Sequence, residues 1–191
     1  MHLTNDAIQK KAEDYGKFEC GNKISYSDFQ HYLDKQHTDK SISFDRDIIP
    51  QFKRMTQDCM KAVWGKIDPY KRVNTFEVFG LDFMLDDQFK PYLIEVNTNP
   101  CLEMACPLLA RLIPTMLENA FRILVDPMFP PPEGFSQKKQ VVQELTPECK
   151  FQLIFDERLD APQLLEVFKQ KADVIVEIDE DEISDEEIID E

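Results

Sequence analysis

Between Thr75 and Cys101 the chain reads TFEVFGLDFMLDDQFKPYLIEVNTNPC, two apolar runs (Phe76 to Leu85 and Pro91 to Val96) either side of a polar tip, Asp86 to Lys90. Apolar runs of strand length around a short polar break predict a β-hairpin. With Gln88-Phe89 as a two-residue loop, Asp82 faces Glu95, Gly80 faces Asn97 and Met84 faces Leu93. Side chains alternate along a strand, so Phe79, Leu81, Phe83, Leu85, Tyr92, Ile94 and Val96 are expected on one apolar face. The other face then carries Val78, Gly80, Asp82, Met84, Leu93, Glu95 and Asn97.

Helical spacing governs much of the rest. Ser25, followed three residues later by Asp28 and by Tyr26, Phe29 and Leu33, predicts a short capped helix to about Lys35. Ile48, Phe52, Met55, Cys59, Met60 and Val63 form a second stripe, whose helix should start near Asp47 because Pro50 is tolerated only in a first turn. Both stripes read as core. A third helix, Pro107 to Val125, carries Leu108, Leu109, Leu112, Ile113, Met116, Leu117, Ala120, Phe121 and Leu124, with Arg111, Glu118 and Arg122 outside the stripe and a kink expected at Pro114. Its expected place is over the apolar face of the hairpin, giving a layered α+β fold. Beyond Asp126 a Pro-rich connector leads to a short strand pattern, KFQLIF at 150–155, and a last helix pattern at 161–172.

Composition excludes several classes. Five cysteines, an odd number without a CxxC pair, and three histidines indicate neither a disulfide framework nor a zinc site. A reducing, intracellular setting fits them. No GxxxxGK[ST] or GxGxxG occurs, no apolar run is long enough to span a bilayer, and MHLTNDAIQKK lacks a signal-peptide core. The net charge of −15 is concentrated at the end: eleven acids and no Lys or Arg lie from Asp173 onward, which leaves −4 on the rest. That balance gives no case for nucleic-acid binding. The tail reads as a solubilising segment, the alternative being an imitation of an acidic substrate or a target of modification at its glutamates or Ser184.

The chemistry centres on Asp82, Glu95 and Asn97. Two carboxylates and an amide on half-buried strands call for a cation or a basic partner. Oxygen donors of this kind suit Mg²⁺, which takes one or two carboxylates together with phosphates and water. The alternative is a structural ion pair with a Lys or Arg from elsewhere in the fold. Lys71-Arg72 could attract an acidic peptide or simply be solvated, and Cys101 and Cys106 have no His partner that would make either a nucleophile.

FGLDFMLD followed by YLIEVNTNP resembles the metal-binding hairpin of the ATP-grasp ligases, and most closely that of the tubulin-tyrosine ligase-like family. A second stretch is similar in the same order: His2-Leu3-Thr4-Asn5, then Tyr15-Gly16-Lys17-Phe18-Glu19 and Gly21-Asn22. The resemblance covers about residues 2–132. It implies the C-terminal lobe of an ATP-grasp fold over 1–132; beyond it, where no family motif is found, the Pro content and charge pattern read as a connector at 133–172 with a strand and a helix, and a disordered acidic tail at 173–191. The resemblance implies Mg²⁺ on Asp82, Glu95 and Asn97, and ATP contacted by Thr4 and Asn5. The implied reaction joins an amino acid (tyrosine, glutamate or glycine) to a tubulin tail through an acylphosphate, in the cytoplasm, on the cytoskeleton or in a cilium. The family's first lobe would precede HLTN, so the expectation is a portion of a longer ligase with little activity by itself. The alternative is a catalytically dead module that binds tubulin or another partner.

Overall fold

The computed structural model describes residues 5–129 and 149–168. Thr4, the connector at 130–148 and everything from residue 169 on, including the acidic tail, lie outside the described residues. By contact the chain divides into two units, Met1–Lys53 with Arg72–Gln152, and Arg54–Lys71 with Leu153–Glu191.

In the first unit, a four-residue helix α1 (Asp6–Gln9) and a 3₁₀ turn (Cys20–Asn22) precede α2 (Tyr26–Gln36). The Ser25 cap forms as its spacing predicts: its hydroxyl accepts the Asp28 N–H at 3.1 Å and donates to the Asp28 carboxylate at 2.6 Å. α3 (Ile49–Ile67) does not begin cleanly near Asp47. It is preceded by a wide π turn, Phe44–Ile48, capped by Ser43. Pro50 has no N–H to close an α-helical bond to the Arg46 carbonyl, and the wide turn, with Ile49 N–H on the Phe44 carbonyl, lies directly before it. The core of this unit is built where α2 meets that turn, with Leu33 2%, Phe44 4% and Ile48 1% exposed. Phe44 meets the rings of Tyr26, Phe29 and Phe52 at 4.5, 5.6 and 6.0 Å.

The hairpin forms from β1 (Gly80–Leu85) and β2 (Pro91–Asn97), antiparallel. Gly80 pairs with Asn97 and Asp82 with Glu95, as the sequence pattern predicts, but Met84 pairs with Tyr92 and not with Leu93. Two irregularities cause this. The loop is one residue longer than two: Phe89 N–H reaches the Asp86 carbonyl at 3.0 Å, Asp86 N–H reaches the Lys90 carbonyl at 3.1 Å, and Phe89 takes a left-handed φ of 61°. This is a three-residue turn with its last residue left-handed. The Asp86 carboxylate accepts the N–H groups of Gln88 (2.9 Å) and Lys90 (2.8 Å) and so selects that turn. The register then shifts between Asp82 and Phe83, leaving Ile94 as the extra residue of a bulge. The bulge cancels the longer loop, so the outer half of the hairpin keeps the expected register while the inner half exchanges faces. Leu93 is half-buried beside Phe83, whereas Tyr92 and Ile94 are exposed.

The ring that covers Phe83 is Phe52 of α3, stacked at 4.3 Å. α4 (Pro107–Leu124), which runs unbroken through Pro114, makes no broad contact with either strand; Phe121 meets Phe76, in the segment before β1, at 6.3 Å. The expected α4 stripe is also too wide. Asn119 and Ala120 are buried, while Leu112, Phe121 and Leu124 are exposed. The hairpin tip is held by the segment after α2, where Lys40 donates to the Asp87 carbonyl at 2.7 Å and lies over the Phe89 ring, which also meets His37 at 4.9 Å.

In the second unit, Lys71 is paired with Glu157 and lies 5.0 Å from the Trp64 ring. KFQLIF is not a strand. The last helix (α5, helical from 157 to the final described residue, 168) starts four residues earlier than its pattern predicts. Asp156 caps it, accepting the Arg158 N–H at 2.9 Å, while its own N–H donates to Asp160 at 2.7 Å.

Chemical denaturation of single variants checks this core. Ile48→Ala is expected to cost about 3 kcal/mol through the cavity it opens, Ser25→Ala about 1 kcal/mol, and Leu112→Ala less than about 1 kcal/mol.

Candidate functional site

The register puts Gly80 and Asn97, then Asp82 and Glu95, then Met84 and Tyr92 on one face of the hairpin. The Asn97 amide nitrogen bridges the two acids, donating to Glu95 Oε1 at 3.2 Å and to Asp82 Oδ2 at a long 3.5 Å. Among the described residues neither acid makes a salt bridge. The Asp82 carboxyl is pushed above its ordinary value, first by desolvation on the sheet and then by the Glu95 carboxylate beside it, with the Asn97 amide pulling it back. Two like charges held together with one weak bridge between them form an acceptor-rich, negative site. A hard divalent cation would relieve the repulsion, and Asn97 would ligate it through Oδ1 after rotation of its amide. Among the described residues no group of three or more His, Cys, Asp or Glu that could hold a metal ion is gathered.

The N-terminal segment is organised around Asp6. Its carboxylate accepts from Lys10 and Lys23, each at 2.8 Å, and from the Tyr15 hydroxyl at 3.1 Å. Those partners, Lys10 foremost and then Lys23, hold the Asp6 carboxyl far below its ordinary value. Asn22, at φ 51°, accepts the Gly16 N–H at 2.8 Å and donates to Gln9 at 3.1 Å, closing the loop that holds Gly16 and Gly21. Asn5 caps α1 through its oxygen, accepting the Ala7 N–H at 2.9 Å, which leaves its amide nitrogen to donate elsewhere. No hydrogen bond joins Asn5 to the hairpin among the described residues. The structure thus brings Asp82, Glu95 and Asn97 together and places Asn5 in a separate, tightly bonded turn; Thr4 lies outside the described residues.

Three working residues escape the hydrophobic pattern. Asp86 sets the loop, Ile94 forms the bulge and Asp6 knits the N-terminal segment. Asp86 was detectable in principle, since an Asp that begins a hairpin loop commonly bonds the N–H groups ahead of it. All five cysteines are free; Cys106 is buried, packed next to Gly21, and Cys101 is exposed.

An acid pair with an amide on one face of a hairpin is a candidate cation site. The model of the tubulin-tyrosine ligase family matches residues 1–133, and the chain belongs to that family. It is similar to tubulin glycylase 3A of Drosophila melanogaster, 37% identical over 130 residues, which are 66% of this chain and 13% of that protein. It is similar also to protein monoglycylase TTLL8 of Mus musculus (30% over 130 residues, 66% of this chain and 15% of that protein). Protein polyglycylase TTLL10 of Rattus norvegicus is 33% identical over 129 residues, 65% of this chain and 19% of that protein. The chain therefore spans less than a fifth of the length of these relatives. No helix among the described residues is long and apolar enough to cross a membrane.

Two measurements probe the electrostatics. Because Asp82 binds its proton more tightly folded than unfolded, its contribution to stability is favourable at low pH and is lost as pH rises through the folded value. In an NMR titration, Glu95→Gln is expected to lower the Asp82 midpoint only in part, since desolvation, the larger cause, remains, and added Mg²⁺ is expected to lower it further. Asp6 is opposite in sign: its contribution is full above the ordinary value of 3.8 and is lost as pH falls through its lower folded value. Asp6→Asn is expected to speed tryptic cleavage at Lys10, Lys11 and Lys17 several-fold at neutral pH, measured by peptide mapping over time.

Proposed function

We propose that this chain carries the cation-binding part of an ATP-dependent amino acid ligase that modifies tubulin tails, with glycine as the amino acid transferred. The observation that supports this most is the acid pair, Asp82 opposite Glu95 with Asn97 beside them, on a chain whose similar proteins are named glycylases. In this reading Asp82, Glu95 and Asn97 hold Mg²⁺, which supplies charge neutralisation to the polyphosphate of ATP. Thr4 and Asn5 contact the nucleotide. The acceptor carboxylate of a tubulin glutamate takes the γ-phosphoryl group and ADP leaves. The glycine amine then attacks the acyl carbon, phosphate departs, and an isopeptide bond remains. The chain's own residues act by holding and orienting; none serves as a covalent nucleophile. The 191-residue chain by itself turns over little or no substrate.

The discriminating experiment replaces Glu95 by Gln at the natural gene. Glycylation of tubulin tails, read by mass spectrometry, is expected to fall at least a hundredfold while association of the protein with microtubules stays within about threefold. Unchanged glycylation would sink the ligase reading in favour of a module that binds tubulin without catalysis.

A further inference from the structure

Gly80 is a glycine for a reason unrelated to backbone freedom. Its φ lies outside the left-handed range, in a regular strand, where any residue would fit the backbone. A Cβ there would stand 2.9 Å from the Pro100 Cβ and 3.7 Å from the Asn97 Cβ. The first distance is well inside van der Waals contact. Pro100 belongs to the turn that leaves β2, two residues beyond Thr98, and its ring lies on the bare backbone of Gly80. Gly80 in turn is the direct cross-strand partner of Asn97.

Pro100 also restricts Asn99 to extended conformations, so the chain from Asn97 to Pro100 has few ways to leave the strand. Glycine opposite and proline beyond therefore clamp the end of β2 from two sides, at the one residue whose amide reaches both acids. The constraint is needed because Asn97 is the last residue of its strand, where pairing ends and fraying begins.

We infer that the Gly80–Pro100 contact is a positioning device that holds Asn97 in register with Asp82 and Glu95, so that a divalent cation meets three oxygen donors in place of two. The inference rests on the cation-site reading above. Gly80 and Pro100 touch no ligand; they act through Asn97.

The test titrates Mn²⁺ into the full chain and follows bound ion by electron paramagnetic resonance, with Glu95→Gln as the background that accounts for ions on the acidic C-terminal residues. Gly80→Ala is expected to weaken binding at the hairpin at least tenfold. Pro100→Gly removes the atom that a new Cβ would strike, so adding it to Gly80→Ala is expected to restore binding to within about threefold of Pro100→Gly alone. A purely structural role would show as lost circular dichroism in Gly80→Ala with no compensation in the pair. Should Gly80→Ala not fold, Pro100→Gly alone decides: it removes the ring that holds the end of β2, so a folded Pro100→Gly is expected to bind Mn²⁺ at least threefold more weakly than wild type, and equal binding overturns the positioning inference. Equal binding by wild type and a folded Gly80→Ala overturns the positioning inference and leaves the cation site standing, and so does a double variant as weak as a folded Gly80→Ala. Binding by wild type no better than by Glu95→Gln overturns both.

Discussion

Two like charges facing each other across a strand pair are unfavourable in isolation, and most of the first unit can be understood as what holds them there. Asp82 and Glu95 stand directly opposite on the hairpin and, among the described residues, are bridged only by the Asn97 amide. Repulsion between paired carboxylates favours any slip or opening that separates them. The slip is opposed by Phe83 stacked on Phe52 of α3 beneath the sheet. Opening is opposed at the tip, where Lys40 and His37 grip Phe89 and the Asp87 carbonyl. The site is thus a small amount of electrostatic strain held by apolar packing on one side and a polar clasp at one end.

That arrangement has a chemical consequence. A pair of carboxylates that already holds its protons more tightly than usual at Asp82 gains most from a divalent ion, because the ion removes the repulsion as well as making bonds. Pre-paid repulsion of this sort raises the preference for cation over water. The N-terminal segment is the electrostatic opposite: Asp6 is surrounded by Lys10, Lys23 and Tyr15, so its charge is satisfied and its role is to hold the loop's shape. The two acidic centres differ in what surrounds them: Asp6 is satisfied by cations, whereas Asp82 and Glu95 face each other.

Membership in the tubulin-tyrosine ligase family covers residues 1–133. Within that stretch a bulge at Ile94 and a glycine beneath a proline at Gly80 and Pro100 lie next to the acid pair. Bulges and close backbone approaches re-aim side chains at the ends of strands, and these do so within a few residues of the acid pair.

The sequence by itself determined the existence of the hairpin, the pairing of Asp82 with Glu95 and of Gly80 with Asn97, the Ser25 cap of α2 and the helical character of α3 and α4. Each of these follows from a period or a spacing that neighbouring residues carry in full. Only the tertiary structure decided what depends on distant atoms. A two-residue loop and an unbulged strand predict the same outer register as a three-residue loop with a bulge, so the sequence pattern was right about the acids while misplacing Leu93 and Tyr92. The identity of the helix that covers Phe83, α3 in place of α4, turns on how the chain folds back, which no local spacing encodes. The π turn before Pro50 goes with the N–H that proline lacks, and the start of α5 at 157 goes with the Asp156 cap; neither shows in the apolar period. Asp6 looked like one acid among many until the fold brought two lysines and a tyrosine to it.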